Sequence, residues 1–155
     1  MPEPMFRDDL AFLSNYHAEP FHVPILGETV GSGEHAFNAL KTLDPDERAH
    51  VLAAPTPGES KKRGRRVTLR PDWDTGGRVL AMQTVLRAKF APHTPMAQKL
   101  VATGALRLVE TNHWHDQFWG DCTCPRHAGV PGTNMLGELL MALRSMNHTP
   151  PTQAS

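Results

Sequence analysis

Three dipeptides locate helix starts along the chain. Asp44-Pro45, Thr56-Pro57 and Thr94-Pro95 each join a side chain that can cap a helix to a proline. A short polar side chain at a helix N-cap accepts hydrogen bonds from the first turn, and proline fits the first helical position. The sequence therefore predicts three short helices that start at these prolines, and the third is expected to end at Gly104.

Three further helices are expected over residues 34–42, 77–90 and 134–146, and the second carries apolar side chains at helical spacing. Short extended segments are predicted at residues 12–16 and 20–26, with a short strand at 105–110. Residues 113–132 show no periodicity and are expected to form a long functional loop. We therefore predict a mainly helical α+β fold with a few short strands. It is expected to be a single domain over residues 6–147, with flexible ends at 1–5 and 148–155.

Charge and cysteine content narrow the class of protein. Sixteen Lys and Arg balance sixteen Asp and Glu, so an anionic ligand must be met by a local patch rather than by an overall field. No apolar run is long enough to span a bilayer, and the first residues do not resemble a signal peptide. Cys122 and Cys124 are too close in sequence to join distant segments. These features favour a soluble cytoplasmic protein without a membrane partner.

Glu34 and Lys41 are seven residues apart on the first predicted helix, which places both on one face, roughly 10 Å apart along the axis. Such a pair can act as an acid and a nucleophile if the face borders a cleft. The alternative is an exposed helix with ordinary solvated charges. The preceding Gly31-Ser32-Gly33 segment is a candidate anion site, because free N–H groups at a helix start bind anions.

The loop at residues 113–132 contains His113, His115, Asp116, Cys122, Cys124 and His127, which are residue types that bind zinc. Structural zinc sites usually space their cysteines by two to four residues, so the one-residue gap here is a poor match. The sequence therefore favours hydrogen-bonding loop side chains and small buried thiols, with no metal ion. A metal or redox-sensitive site stays open as the alternative.

Other loop and helix residues are candidates for substrate binding. Trp119, followed by Gly120, is well placed to stack on a flat ring. The Gly-rich segment from Gly129 to Asn134, which includes Gly132, is a candidate phosphate cradle at the start of a helix. The basic run from Lys61 to Arg66 is either a solvated helix face or a phosphate contact.

Several of these residues together resemble one family. The segments Phe12-Leu13-Ser14-Asn15-Tyr16 and Glu34-His35-Ala36-Phe37-Asn38-Ala39-Leu40-Lys41 are similar to the opening pattern of the NADAR (YbiA-like) family. Later segments agree in order, from Trp73 through Asp116 and Phe118-Trp119-Gly120 to Gly132-Thr133-Asn134-Met135-Leu136-Gly137. The resemblance covers residues 6–146, nearly the whole chain.

This resemblance implies a helical α+β fold and an N-glycosidase that acts on ribose or ADP-ribose attached to a nitrogen atom. By the family pattern, Lys41 is the nucleophile that forms a Schiff base, and Glu34, Trp73 and Asp116 are further site residues. On the chemistry of such a site, Glu34 would move protons and Asp116 would orient the ribose hydroxyls or share proton transfer. Substrate binding is assigned to Ser14, Asn15, Trp73, Trp119, Gly120, Gly132 and Asn134. No cofactor is implied.

The favoured substrate is ADP-ribose attached to guanine, in nucleosides or in DNA or RNA. One alternative is the same bond cleavage on a phosphorylated intermediate of the riboflavin pathway. Others are a non-catalytic ADP-ribose-binding module and a small metal-binding module built on Cys122, Cys124, His127 and a nearby histidine. The oligomeric state stays open.

Overall fold

The computed structural model describes residues 6–148, which form two compact units: residues 13–89, and residues 6–12 together with 90–148. The predicted ends at 1–5 and 149–155 lie outside the described residues. The helices are α1 (Gly33–Ala39), α2 (Pro45–Leu52), α3 (Pro57–Gly64), α4 (Gly77–Lys89), α5 (Pro95–Ala102) and α6 (Met135–His148). The strands are β1 (Phe21–Val23), β2 (Glu28–Val30), β3 (Thr111–Asn112) and β4 (Asp121–Cys122). The predicted α+β class with a few short strands is confirmed.

The three predicted helix starts are correct. Asp44, Thr56 and Thr94 each accept hydrogen bonds from backbone N–H groups in the first turn of α2, α3 and α5. Gly104 follows α5 in the left-handed conformation with φ of 65°, as expected for the residue that ends a helix.

In the unit of residues 13–89, α1 packs against α2, α3 and α4. β1 and β2 form an antiparallel pair in which Phe21 faces Val30. Leu13, Leu40, Val51 and Val85 lie in the apolar core with exposures of 2% or less. This core surrounds α1, and so it determines how the predicted acid and nucleophile are presented.

The unit of residues 6–12 and 90–148 is built on α5 and α6, which contact each other. Phe90, Leu100 and Leu140 are fully buried in its core, and the Phe90 ring meets Phe12 edge-on at 6.3 Å. β3 and β4 are a short parallel pair, with Asn112 opposite Cys122.

Two of the predicted extended segments are wrong and one is partly correct. Residues 12–16 fall in a 3₁₀ helix (Asp8–Leu13) and the following turn, and residues 105–110 are not a strand. Within 20–26 only β1 is extended, and a 3₁₀ helix (Pro24–Leu26) follows it. Alternating apolar residues do not define a strand unless a partner segment pairs with them. Among the described residues, no helix is long and apolar enough to cross a membrane.

Lys89, at the end of α4, gives the stability of the protein an unusual pH dependence. Its side chain is 2% exposed, its ammonium donates to the Ser14 carbonyl at 2.9 Å, and burial lowers its pKa to about 7. In the unfolded chain Lys89 titrates near 10.5. Between these two values the unfolded chain binds the extra proton, so the free energy of unfolding should rise with pH by a few kcal/mol. Lys89→Met should remove this rise in denaturant titrations from pH 6 to pH 10. Arg87→Met, at an exposed position of α4, should keep it.

Candidate active site

Glu34 lies on a helix that is buried along its whole length. Every residue of α1 is buried, so the alternative of an exposed helix with solvated charges is wrong. The backbone N–H of Glu34 donates to the Asn15 carbonyl at 2.9 Å, and that of His35 to the Ser32 hydroxyl at 3.2 Å. These N–H groups are therefore used inside the protein and do not form the expected anion site.

The Glu34 carboxyl is held in place by its own helix. It is 9% exposed, and Asn38 Nδ2 donates to Glu34 Oε1 at 3.0 Å and to the Glu34 carbonyl at 2.8 Å. Burial raises the pKa of Glu34, while the Asn38 hydrogen bond and the nearby Lys61 and Lys41 charges oppose part of that rise. A carboxyl with a raised pKa is suited to donate a proton near neutral pH.

Lys41 lies just beyond α1, because the helix ends at Ala39 and not at residue 42 as predicted. The Lys41 N–H bonds the Asn38 carbonyl at 3.3 Å, and its ammonium lies 5.8 Å from the centre of the Phe37 ring. Burial lowers the pKa of Lys41; Glu34 opposes this, whereas Lys61 and Arg65 lower it further. A lowered pKa increases the fraction of neutral amine, which is the nucleophilic form.

Lys61 and Arg65 belong to the basic run on α3, which the family pattern does not include. Both act electrostatically on Lys41, and Lys61 also acts on Glu34. The Lys61 ammonium lies 5.8 Å from the centre of the Tyr16 ring. The sequence showed the charge of this run but not its target, because the packing of α3 on α1 joins residues twenty or more positions apart.

Trp73, a site residue by the family resemblance, lies beside Phe37, and its role toward substrate stays a prediction. It is buried in a 3₁₀ helix (Trp73–Thr75), and its ring lies 5.4 Å from the Phe37 ring. The Phe37 ring therefore has both the Trp73 ring and the Lys41 ammonium as neighbours. We refer to Glu34, Phe37, Lys41, Lys61 and Trp73 as the Glu34–Lys41 site.

Ser14 and Asn15, predicted to bind substrate, lie in the same unit. The Ser14 hydroxyl accepts the Tyr16 N–H at 3.1 Å, and Asn15 Nδ2 donates to the Met82 sulfur at 3.2 Å. Asn15 Oδ1 is buried and has no hydrogen-bond partner among the described residues. Their contacts with substrate stay predictions.

The glycine at the end of α3 sets the position of Asn38. A Cβ atom at Gly64 would lie 2.2 Å from Asn38 Oδ1, too close unless Asn38 moves. Gly64→Ala is therefore expected to displace the hydrogen-bond donor to Glu34 and to cost about 1–3 kcal/mol of stability, as overpacking does. Gly58→Ala is the control on the same helix, because nothing lies within 4 Å of its Cβ position. Denaturant titration should show a loss for the first variant only. Equal stabilities would contradict this packing.

Asp116 and Trp119 lie in the other unit, on the long loop. Asp116 Oδ1 accepts the N–H groups of Phe118 at 3.1 Å and Trp119 at 2.9 Å, so it holds the turn that presents Trp119. The Trp119 ring is half-buried and meets the Phe118 ring edge-on at 4.7 Å. These contacts do not test the predicted roles of Asp116 and Trp119 toward substrate, which stay predictions.

The Gly-rich segment pairs with the loop, and most of its N–H groups donate to loop acceptors. The N–H groups of Thr133, Asn134, Met135 and Leu136 donate to carbonyls of residues 117–120, and the Gly132 N–H donates to Asp121 Oδ1 at 2.8 Å. The predicted phosphate cradle therefore has no support in this segment.

Gly132, Gly120 and Asn134 each have a packing reason for their identity. A Cβ at Gly132 would lie 2.2 Å from the Gly120 carbonyl, and one at Gly120 would lie 2.1 Å from the Glu110 carbonyl. Asn134 is buried with φ of 52°, accepts the Glu110 N–H and donates to the Leu108 carbonyl. Their predicted contacts with substrate stay predictions.

Comparisons with known proteins agree with the family resemblance. The family model described as the NADAR domain matches residues 5–146. N-glycosidase YbiA of Shigella flexneri serotype 5b is 35% identical over 139 residues, which cover 88% of this chain and 81% of that protein. The same protein of Escherichia coli strain K12 has the same identity and coverage. A riboflavin biosynthesis protein of Vibrio vulnificus is 34% identical over 143 residues, 90% of this chain but 36% of that longer protein.

The fold agrees as well. The solution NMR structure of the Escherichia coli protein YbiA matches with a TM-score of 0.75 and 32% sequence identity, over 97% of this chain and 89% of that one. The chain therefore belongs to the NADAR family. Within that family it is an N-glycosidase, so the predicted enzyme class, a hydrolase of N-glycosidic bonds, is confirmed. The alternative of a non-catalytic binding module is not supported.

Proposed function

We propose that this N-glycosidase removes ADP-ribose from guanine bases through a covalent imine on Lys41. The observation that carries the proposal is the pairing of Glu34 and Lys41, whose pKa values are shifted in opposite directions by burial. When the pKa values of a carboxyl and an amine approach each other, a larger fraction of the protein has a protonated acid and a neutral amine near neutral pH.

In the first half of the reaction, protonated Glu34 gives its proton to the ring oxygen of the ribose. The bond between that oxygen and C1′ breaks, and the base nitrogen supplies the electrons for a C1′–nitrogen double bond. The neutral Lys41 amine then adds to C1′, and its proton returns to the Glu34 carboxylate.

In the second half, the base nitrogen takes the proton back from Glu34 and leaves, so that C1′ is joined to Lys41 as a protonated imine. Water adds to C1′ and gives a proton to the Glu34 carboxylate, and Lys41 departs as the free amine. The sugar is released as an aldehyde that closes to ribose. Atoms and charges balance without an oxidant or a second reactant.

The charge of α3 supports a substrate with phosphate groups. Lys61 and Arg65 act on the site itself, and Lys62 and Arg66 are exposed farther along the same run. A diphosphate needs cations beside the sugar, and a nucleic-acid strand would use the exposed ones. The free thiols of Cys122 and Cys124 support a reducing, cytoplasmic setting.

A second candidate function is cleavage of the same bond in a phosphorylated riboflavin-pathway intermediate. The name of the Vibrio vulnificus relative favours it. Both substrates carry phosphate and an N-glycosidic carbon, so both fit the chemistry of Glu34 and Lys41.

One assay separates the two candidates. The released sugar is followed: ADP-ribose from an oligonucleotide with ADP-ribosylated guanine, and phosphorylated ribose from a phosphorylated, ribosylated pyrimidine intermediate. The favoured function predicts turnover of the oligonucleotide that falls steeply with salt, and Arg66→Ala should reduce that salt slope by about 1. Turnover of the small intermediate alone, with no activity on the oligonucleotide, would overturn the guanine proposal in favour of the second candidate.

A further inference from the structure

Four side chains of the long loop converge on one point, away from any role described so far. His115, Cys122, Cys124 and His127 each offer a ligand atom, and these four atoms all lie within 4.8 Å of one another. Cys124 Sγ is central, at 3.3 Å from His115 Nδ1 and 3.1 Å from His127 Nδ1. We propose that these residues bind one zinc ion in a tetrahedral Cys₂His₂ site.

Local backbone structure explains how a one-residue gap between cysteines is compatible with such a site. Cys122 ends β4, and Cys124 is also extended, with φ of −69° and ψ of 159°. Side chains two residues apart on extended backbone point to the same side. The chain then turns through a 3₁₀ helix (Pro125–His127), in which the His127 N–H donates to the Cys124 carbonyl at 3.1 Å. Cys124 and His127 therefore have the two-residue gap typical of zinc ligands.

His115 reaches the cluster from the other side of the loop, and Asn112 fixes its approach. Asn112 is fully buried, pairs with Cys122 across β3 and β4, and exchanges hydrogen bonds with the Asp116 backbone at 2.8 and 3.0 Å. Between Asn112 and Asp116, His115 adopts φ of 72°, a conformation that few residues other than glycine take up. With this backbone conformation, the centre of the His115 ring lies 5.4 Å from the centre of the His127 ring.

The donor set selects the kind of metal ion. Two thiolates and two imidazoles are the ligands of structural zinc, whereas calcium and magnesium prefer oxygen. Zinc bonds of about 2.3 Å to sulfur and about 2.0–2.1 Å to nitrogen give ligand–ligand edges of about 3.3–3.8 Å. The two Cys124 contacts are already close to that range, and the widest separation needs a closure of about 1 Å.

Four protein ligands leave no open position, so the ion would act as a cross-link and not as a catalyst. The loop needs a cross-link, because most of residues 113–131 are exposed or half-buried. A zinc ion would join His115, the neighbour of Asp116, to the segment that follows Trp119. It would thereby hold the turn on which Trp119 is presented. Cys122 and His127 also line a surface depression of about 400 Å³, which gives the ion a path of entry.

The test is the metal content of the full chain, purified without a histidine tag under reducing conditions. We expect one zinc per chain by mass spectrometry of the elements, and X-ray absorption should show two sulfur and two nitrogen neighbours. Cys124→Ser should lose the ion, whereas His113→Ala, which changes an exposed histidine outside the cluster, should retain it. Less than a tenth of an equivalent of zinc in the wild-type chain after incubation with excess zinc would overturn the proposal. So would a metal shell without sulfur.

A second measurement does not depend on the folding of a variant. Cobalt added to the metal-free wild-type chain should produce the intense visible bands of a tetrahedral ion and a thiolate charge-transfer band. Removal of zinc by a chelator should increase hydrogen exchange in residues 113–131 and leave α1 unchanged. Unchanged exchange in the loop would contradict the cross-linking role. None of these readouts requires substrate, so they are independent of the proposed function.

Discussion

Replacement of Lys41 by alanine is expected to reduce kcat by at least roughly 10³-fold, because the amine that captures C1′ is lost. Lys41→Arg should be equally inactive. It keeps the positive charge beside Glu34 but cannot form the imine, since a guanidinium is not deprotonated near neutral pH. Single-turnover release of ADP-ribose is the direct measurement.

Two controls separate loss of chemistry from loss of fold. Lys62→Ala removes an exposed lysine of the same basic run and should leave kcat close to that of the wild type. The thermal midpoint of Lys41→Ala should be unchanged or raised, because burial penalises the charged amine that it removes. A variant that is folded and retains full activity would show that Lys41 is not the nucleophile.

Replacement of Glu34 by glutamine should lower kcat by about 10²–10⁴-fold, the usual contribution of a positioned general acid. The wild-type profile of kcat/KM against pH should be bell-shaped, because the reaction needs protonated Glu34 and neutral Lys41. Both limbs should lie nearer neutrality than the ordinary values of 4.5 and 10.5, since the pKa of Glu34 is raised and that of Lys41 is lowered.

The glutamine variant should also change the shape of that profile. Without a titrating acid, the alkaline descent should disappear, leaving one rise as Lys41 loses its proton. The midpoint of that rise is the pKa of Lys41, which should be lower than in the wild type because the Glu34 charge raises the pKa of Lys41. A profile that keeps both limbs would assign the acid to another residue.

The sequence predicted the features that depend on neighbours along the chain. Helix starts at Asp44, Thr56 and Thr94 could be located because a cap and a proline act within one turn. The seven-residue spacing of Glu34 and Lys41 was informative even though α1 ends at Ala39, since a tight turn keeps Lys41 next to Phe37.

Features that depend on distant contacts could not be predicted in this way. The burial of Glu34 results from α1 packing on three other helices, and Lys61 enters the site only through that packing. Residues 105–110 have the composition of a strand but do not form one in the structure, whereas β3 and β4 pair over two residues each. The spacing of Cys122 and Cys124 argued against zinc because two cysteines alone do not show which histidines lie near them. His115 joins the cluster through a hydrogen-bonded turn that the sequence does not reveal.

The central claim is that C1′ of the sugar becomes bonded to Lys41, and borohydride trapping tests it most directly. The enzyme is mixed with ADP-ribosylated guanosine and reduced with borohydride during turnover, and its intact mass and peptides are then measured. The account predicts a stable ADP-ribosyl adduct on Lys41, which is absent without borohydride and absent in Lys41→Arg. Guanosine and ADP-ribose released at the full rate with no adduct, or an adduct mapped to another residue, would contradict it.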